Sequence, residues 1–132
     1  IWCVFIFLQS HMPAVTSAQE SSFLAALLNH VLAVVSGMGT ATVSDNAVRK
    51  WAHFIEFFIL GFIFFKAVFN ERRLYRSFCI SSVLAVLYSV SDEIHQNFVP
   101  GRAMRASDVL IDSAGIFFAT LMLLIYNKEK IS

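Results

Sequence analysis

Three long apolar stretches dominate the chain, and in each one the polar residues gather toward a single end. They cover residues 51–69, 77–98 and 108–126, each close to the ~20 residues an α-helix needs to cross ~30 Å of hydrocarbon. The interruptions are His53 and Glu56 in the first, Asp92, Glu93, His95 and Gln96 in the second, and Asp108 and Asp112 in the third. A further apolar run over residues 1–10 is too short to span and ends in Gln9, Ser10 and then Pro13, as a helix leaving the membrane would. It reads as a partial first transmembrane helix, since the basic start that a signal peptide needs is absent. The expected architecture is all-α: a polytopic membrane protein, a four-transmembrane-helix bundle with its first helix truncated, forming one domain over residues 1–132.

The connection between the first two spans carries its own helical signal. Ser17 and Glu20 have capping-box spacing, and Phe23, Leu24, Leu27, Leu28, Val31, Leu32 and Val35 fall within one half of a helical wheel. Gly37 and Gly39 supply a stop. These features predict an amphipathic outer helix over residues 17–36, lying on the membrane surface or capping the bundle. Ser44 and Asp45 look like the N-cap of the next helix, with Arg49 and Lys50 at headgroup level.

Composition supports lipid as solvent. Apolar residues make up 58% of the chain and charged residues 14%, against roughly 45–50% and 25% in soluble domains. Fourteen phenylalanines would leave a small water-soluble fold with large exposed aromatic patches. A net charge of +1 gives no field to attract nucleic acid, and no nucleic-acid motif occurs. Cys3 and Cys79 sit in apolar runs as small buried hydrophobes, without a disulfide framework. Arg72, Arg73 and Arg76 beside Lys66, together with Lys128 and Lys130, mark the cytoplasmic ends. That bias predicts a multi-pass protein of the cytoplasmic membrane, N-in and C-in, with its polar clusters facing the exterior or periplasm.

An ionisable side chain at membrane depth costs at least ~2.5–3.5 kcal/mol, so it persists when partnered or when facing a wet cavity. His53 and Glu56 are three residues apart and Asp108 and Asp112 four apart, so each pair shares a helix face. Asp92, Glu93 and Gln96 point one way with Ser89 a turn below, while His95 stands beside Asp92 toward Tyr88. Three polar faces at one depth should converge. Pro100-Gly101 signals a tight turn that keeps Arg102 near the carboxylates of both flanking helices. Arg102 can there neutralise Glu93 or Asp108, or hold an anionic ligand through two parallel hydrogen bonds.

Three strings carry a more specific message: Arg49-Lys-Trp-Ala-His-Phe-Ile-Glu-Phe, Ser91-Asp-Glu-Ile-His-Gln-Asn-Phe-Val-Pro-Gly-Arg102, and Asp108-Val-Leu-Ile-Asp-Ser-Ala-Gly115. In order and spacing they resemble the signature blocks of the VanZ-like family, with Phe57 standing where tyrosine is more usual. The resemblance implies a four-helix membrane protein of the bacterial envelope, from a family whose name-giving member is associated with resistance to teicoplanin. It implies functional positions at Lys50, His53, Glu56, Asp92, Glu93, His95, Gln96, Arg102, Asp108 and Asp112.

Within that set, His53, Glu56, Asp92, Glu93 and His95 are the candidates for acid–base catalysis, because burial and like charges move carboxyl groups toward neutrality, where histidine already titrates. Lys50, Gln96, Arg102, Asp108 and Asp112 are the candidates for ligand binding. No cofactor is required by the sequence. A divalent metal, if held, would use His53, Glu93, His95 and Asp112, although neither HExxH nor paired Glu-x-x-His spacing is present. The expected partners are the bilayer and a lipid-linked or glycan envelope substrate. The competing reading is a non-catalytic membrane scaffold whose polar network is structural; an ion-coupled carrier is disfavoured because no polar residues cross the opposite half. Gly115 and Ala119 are expected to let helices approach closely.

Overall fold

The computed structural model describes residues 1–36 and 42–131. Its order is α1 (Trp2–Ser10), α2 (Ala14–Ser36), α3 (Asp45–Val68), a 3-10 turn (Glu71–Arg73), α4 (Leu74–Gln96) and α5 (Ala106–Ile131). The protein is all-α and polytopic. Among the described residues three helices are long and apolar enough to cross a membrane: α3, α4 with its leading turn, and α5.

Each helix boundary has a local cause. Ser44 caps α3 by accepting from Ala47 N at 3.3 Å, and Asp45 places a negative charge on the positive end of the helix dipole. α2 begins at Ala14, with the Pro13 carbonyl accepting from Ser17 N, so Ser17 and Glu20 lie inside the helix and form no capping box. Pro13 loses nothing at a helix start, where its N–H would have no intrahelical partner, and it disfavours helical geometry at Met12, which sets the start at Ala14, earlier than the Ser17 signal. The expected stop at Gly37 and Gly39 lies outside the described residues.

Two sharp reversals bring the spans together. Between α3 and α4, Ser77 Oγ donates to Val68 O and accepts from Asn70 N, both at 3.0 Å. Between α4 and α5, Gly101 has φ +77° and Arg102 N donates to Val99 O at 3.1 Å. Proline at the second position and a left-handed glycine at the third define a type II turn. Ala14 N donates to Pro100 O, so this turn also rests on the start of α2.

The core is formed by Phe57, Leu60, Ala85 and Ile116, with Ile6 of α1 packed among them. α3 and α5 cross at Gly61 and Gly115: a Cβ on Gly61 would sit 3.0 Å from Ile116 O, and one on Gly115 would run into Phe54 O. Small residues thus let two backbones touch where lipid offers no hydrophobic drive for association. Ser82 and Thr120, 3.1 Å apart, join α4 to α5 further along. α2 packs through small side chains, Ser21 and Ala25, and leaves Phe23, Leu27 and Val31 uncovered.

Candidate functional site

The chain direction puts the start of α3, the end of α4, the start of α5 and the end of α1 at one end of the bundle. Here α4 delivers Ser89, Asp92, Glu93 and Gln96 to the interior, and α5 delivers Asp112, all buried. α3 contributes His53, whose Nδ1 stands 3.6 Å from Asp112 Oδ1, at ion-pair distance but beyond hydrogen-bond reach. Ser89 Oγ donates to the other Asp112 oxygen at 2.8 Å and so fixes the carboxyl plane.

Asp92 ties α1 to α4. Ser10 Oγ donates to Asp92 Oδ2 at 2.6 Å, and Gln96 Nε2 donates to both Ser10 Oγ and Asp92 Oδ2. Tyr88 donates to Cys3 O at 2.6 Å and the Trp2 indole to Glu56 O at 3.0 Å, which holds the rest of α1 in place. Glu93 Oε2 accepts from Arg105 N at 3.0 Å. That N–H precedes α5, so the carboxylate sits at the positive end of the helix dipole.

These bonds do not satisfy the cluster. Among the described residues, His53 Nδ1, Asp92 Oδ1, Glu93 Oε1 and Asp112 Oδ1 are buried without a hydrogen bond. Leaving such an atom without a partner costs ~1–3 kcal/mol, so four of them on three helices concentrate unmet hydrogen-bonding capacity at this end of the bundle. Of these four residues His53 alone lines the two cavities, of about 120 and 60 Å³, that open at this end; Asp92, Glu93 and Asp112 lie behind their walls. Arg49, His53, Arg102 and Ser17 line both, with Glu56 in the larger and Asp108 in the smaller.

Arg102 donates to Gln9 O at 3.4 Å, and neither it nor Arg49 forms an ion pair among the described residues. Partial burial holds the Arg102 guanidinium below its ordinary value and the charge of Arg49 pushes it the same way, while Asp92, Glu93 and Glu56 oppose them. It stays protonated, as arginine does in proteins. Two cations without an ion pair among the described residues, Arg49 bonded to Asn46 Oδ1 at 3.2 Å, therefore share the cavity lining with Glu20, Glu56 and Asp108.

Not every expected site residue arrives here. Lys50 is exposed and lines a separate apolar depression with Trp51, Phe54 and Ile111. His95 turns outward, its ring stacked 4.5 Å from Phe7 and its Nε2 3.3 Å from His11 Nδ1. It is thus separated from His53, Glu93 and Asp112, and among the described residues no three His, Cys, Asp or Glu side chains are placed to hold a metal ion. The structure adds Arg49 and Ser10 to the expected site residues, and it bonds Ser89, expected a turn below Asp92, to Asp112. Arg49 had a readable signal: with His53 and Glu56 it follows i, i+4, i+7 spacing along one helix face.

Membrane-length apolar helices enclosing a polar end define a polytopic helical membrane protein. The VanZ/LLP1 family model matches residues 1–127, and the chain belongs to that family. No curated protein and no solved structure matches it.

Proposed function

We propose that the polar cavity binds the anionic group of an envelope-associated molecule, lipid-linked, phosphorylated or glycan in character, and that His53 with Asp112 and Glu56 transfers protons on it. The observation that supports this reading is that two guanidiniums without an ion pair among the described residues, Arg49 and Arg102, line the same cavities as His53, in front of buried carboxyl atoms that lack hydrogen-bond partners. Arginine presents a planar fork matched to phosphate or carboxylate oxygens. Asp112 facing Nδ1 favours the tautomer protonated there and leaves His53 Nε2 free as a base; Ser89 keeps the carboxyl oriented. Glu56, whose side chain makes no hydrogen bond among the described residues, is the second proton carrier on the cavity wall. Asp92 and Gln96 hold α1 against the site, and Glu93 positions the loop that bears Arg102.

In the same proposal α1 belongs to a first of four spans in a single domain. The termini lie in the cytoplasm, and the cavity opens to the exterior or periplasm, where the protein contributes to teicoplanin-type glycopeptide tolerance. The test is to express Arg102→Gln and Asp112→Asn, quantify each in isolated membranes, and measure tolerance. Both variants should accumulate and lose it; full tolerance at normal abundance in both removes the proposal.

A second reading has an observation in its favour: the Ser10–Asp92, Ser10–Gln96 and Ser89–Asp112 bonds all join different helices, as a structural network in a scaffold would. Arg102→Gln separates the two, because the side-chain bond it removes among the described residues is the 3.4 Å contact with Gln9 O, while the Ser10–Asp92 and Ser89–Asp112 bonds between helices stay intact. A scaffold keeps its function with that change and loses it with Ser10→Ala only as the protein itself is lost.

A further inference from the structure

The end of the bundle opposite the polar site has a different chemistry. Lys66, Arg72, Arg73, Arg76, Lys128 and Lys130 lie there against Glu71 and Glu129 only, and none of them forms an ion pair among the described residues. At the reversal between α3 and α4 a cavity of about 220 Å³ opens, lined by Val68, Asn70, Arg73, Arg76, Ser77 and Ile80. Ser77 is already engaged with Val68 O and Asn70 N, and Asn70 Oδ1 accepts from Arg72 N, so the charged donors in this space are the two guanidiniums, with the Asn70 amide N–H beside them. Both are exposed.

Ile80, the apolar residue of α4 that lines the cavity, begins an exposed apolar track beyond it. Ile80, Val83, Leu84 and Leu87 follow Arg76 at steps of three and four along α4, and all are exposed. A charged mouth at the end of a membrane-spanning helix, with an apolar stripe running from it toward mid-membrane, has the polarity of an amphiphile. A soluble anion would engage only the mouth.

We propose that this cleft binds an anionic phospholipid, its phosphate between Arg73 and Arg76 and one acyl chain along Ile80, Val83 and Leu87. Basic clefts at the ends of membrane helices attract such headgroups, each cation contributing about a fivefold gain in affinity. The site is independent of the cavity at the other end: its residues and its helix ends are all different.

The test uses the purified full chain in detergent micelles, titrated with phosphatidylglycerol, with phosphatidylcholine of the same acyl chains, and with glycerol phosphate, and read by native mass spectrometry. Phosphatidylglycerol should be retained in preference to both others. Arg73→Gln/Arg76→Gln should bind it about 30-fold more weakly. Lys128→Gln/Lys130→Gln, which removes equal charge from the same end outside the cleft, should bind within about threefold of the unaltered chain. Equal losses in the two double variants would reduce the effect to bulk electrostatics and overturn the site. Equal retention of phosphatidylcholine would overturn the role of charge, and binding of glycerol phosphate as tight as the lipid would overturn the acyl track.

Discussion

Replacing Gly115 by alanine tests whether α3 and α5 must touch for the site to form. The added Cβ would run into Phe54 O and lie 3.1 Å from Phe58 N, both backbone atoms of α3. No flexible side chain can yield there, so the clash is relieved only by moving the helices apart. Overpacking of this kind costs about 1–3 kcal/mol, and exchanging glycine for alanine within a helix returns about 1 kcal/mol. The net expectation is a loss of about 1 kcal/mol. The displacement falls where it matters, since Phe54 adjoins His53 and Asp112 lies one turn before Gly115, and those two side chains are only 3.6 Å apart. Thermal unfolding of the purified protein in detergent measures the loss, with Gly61→Ala as the internal comparison. At Gly61 the added atom meets Ile116 O at 3.0 Å and Ile116 Cα at 3.1 Å, a milder conflict. Gly115→Ala should therefore be the less stable of the two. A Gly115→Ala protein as stable as the unaltered chain would refute the reasoning.

Other outcomes follow from the same geometry. Ser10→Ala removes the 2.6 Å donor to a buried carboxylate and should lower stability by about 1–3 kcal/mol, read from the detergent unfolding midpoint. Tyr88→Phe deletes the bond to Cys3 O and should cost about 0.5–1.5 kcal/mol, with faster amide exchange confined to α1. Arg49→Gln should weaken binding of an anionic headgroup analogue about tenfold or more, as loss of a charge-assisted contact does, whereas Lys50→Gln should leave it unchanged in the same titration. A Lys50 variant as impaired as the Arg49 variant would contradict the placement of these neighbours on different faces of α3.

How far the site could be read from sequence depended on whether each residue's position was decided locally. The Pro100-Gly101 turn was legible because its chemistry is contained in four residues, and the meeting of His53 with Asp112 because each was stranded in an apolar run that had to find it a partner. The close approach at Gly115 was legible for the related reason that small residues mark helix contacts in membranes. Arg49 and Lys50 were harder. They are adjacent in sequence but about 100° apart around the helix, and only the registry with His53 and Glu56 favours the first. His95 was lost to a contact no local pattern encodes, since His11 lies 84 residues away. The start of α2 was missed where two signals competed, and the constraint of Pro13 outweighed the weaker capping preference of Ser17.

The loop that bears Arg102 is moored twice to the N-terminal helices, through Gln9 O and through the contact of Ala14 N with Pro100 O. A Cβ on Gly101 would lie 3.0 Å from that of Ala14, so there is little slack at the second mooring. Whatever tilts or lifts α2 therefore drags this cation with it. The first helices act as a lever on the arm that would grip a ligand, and bulk introduced at Ala14, well away from any charged group, would be felt at the guanidinium.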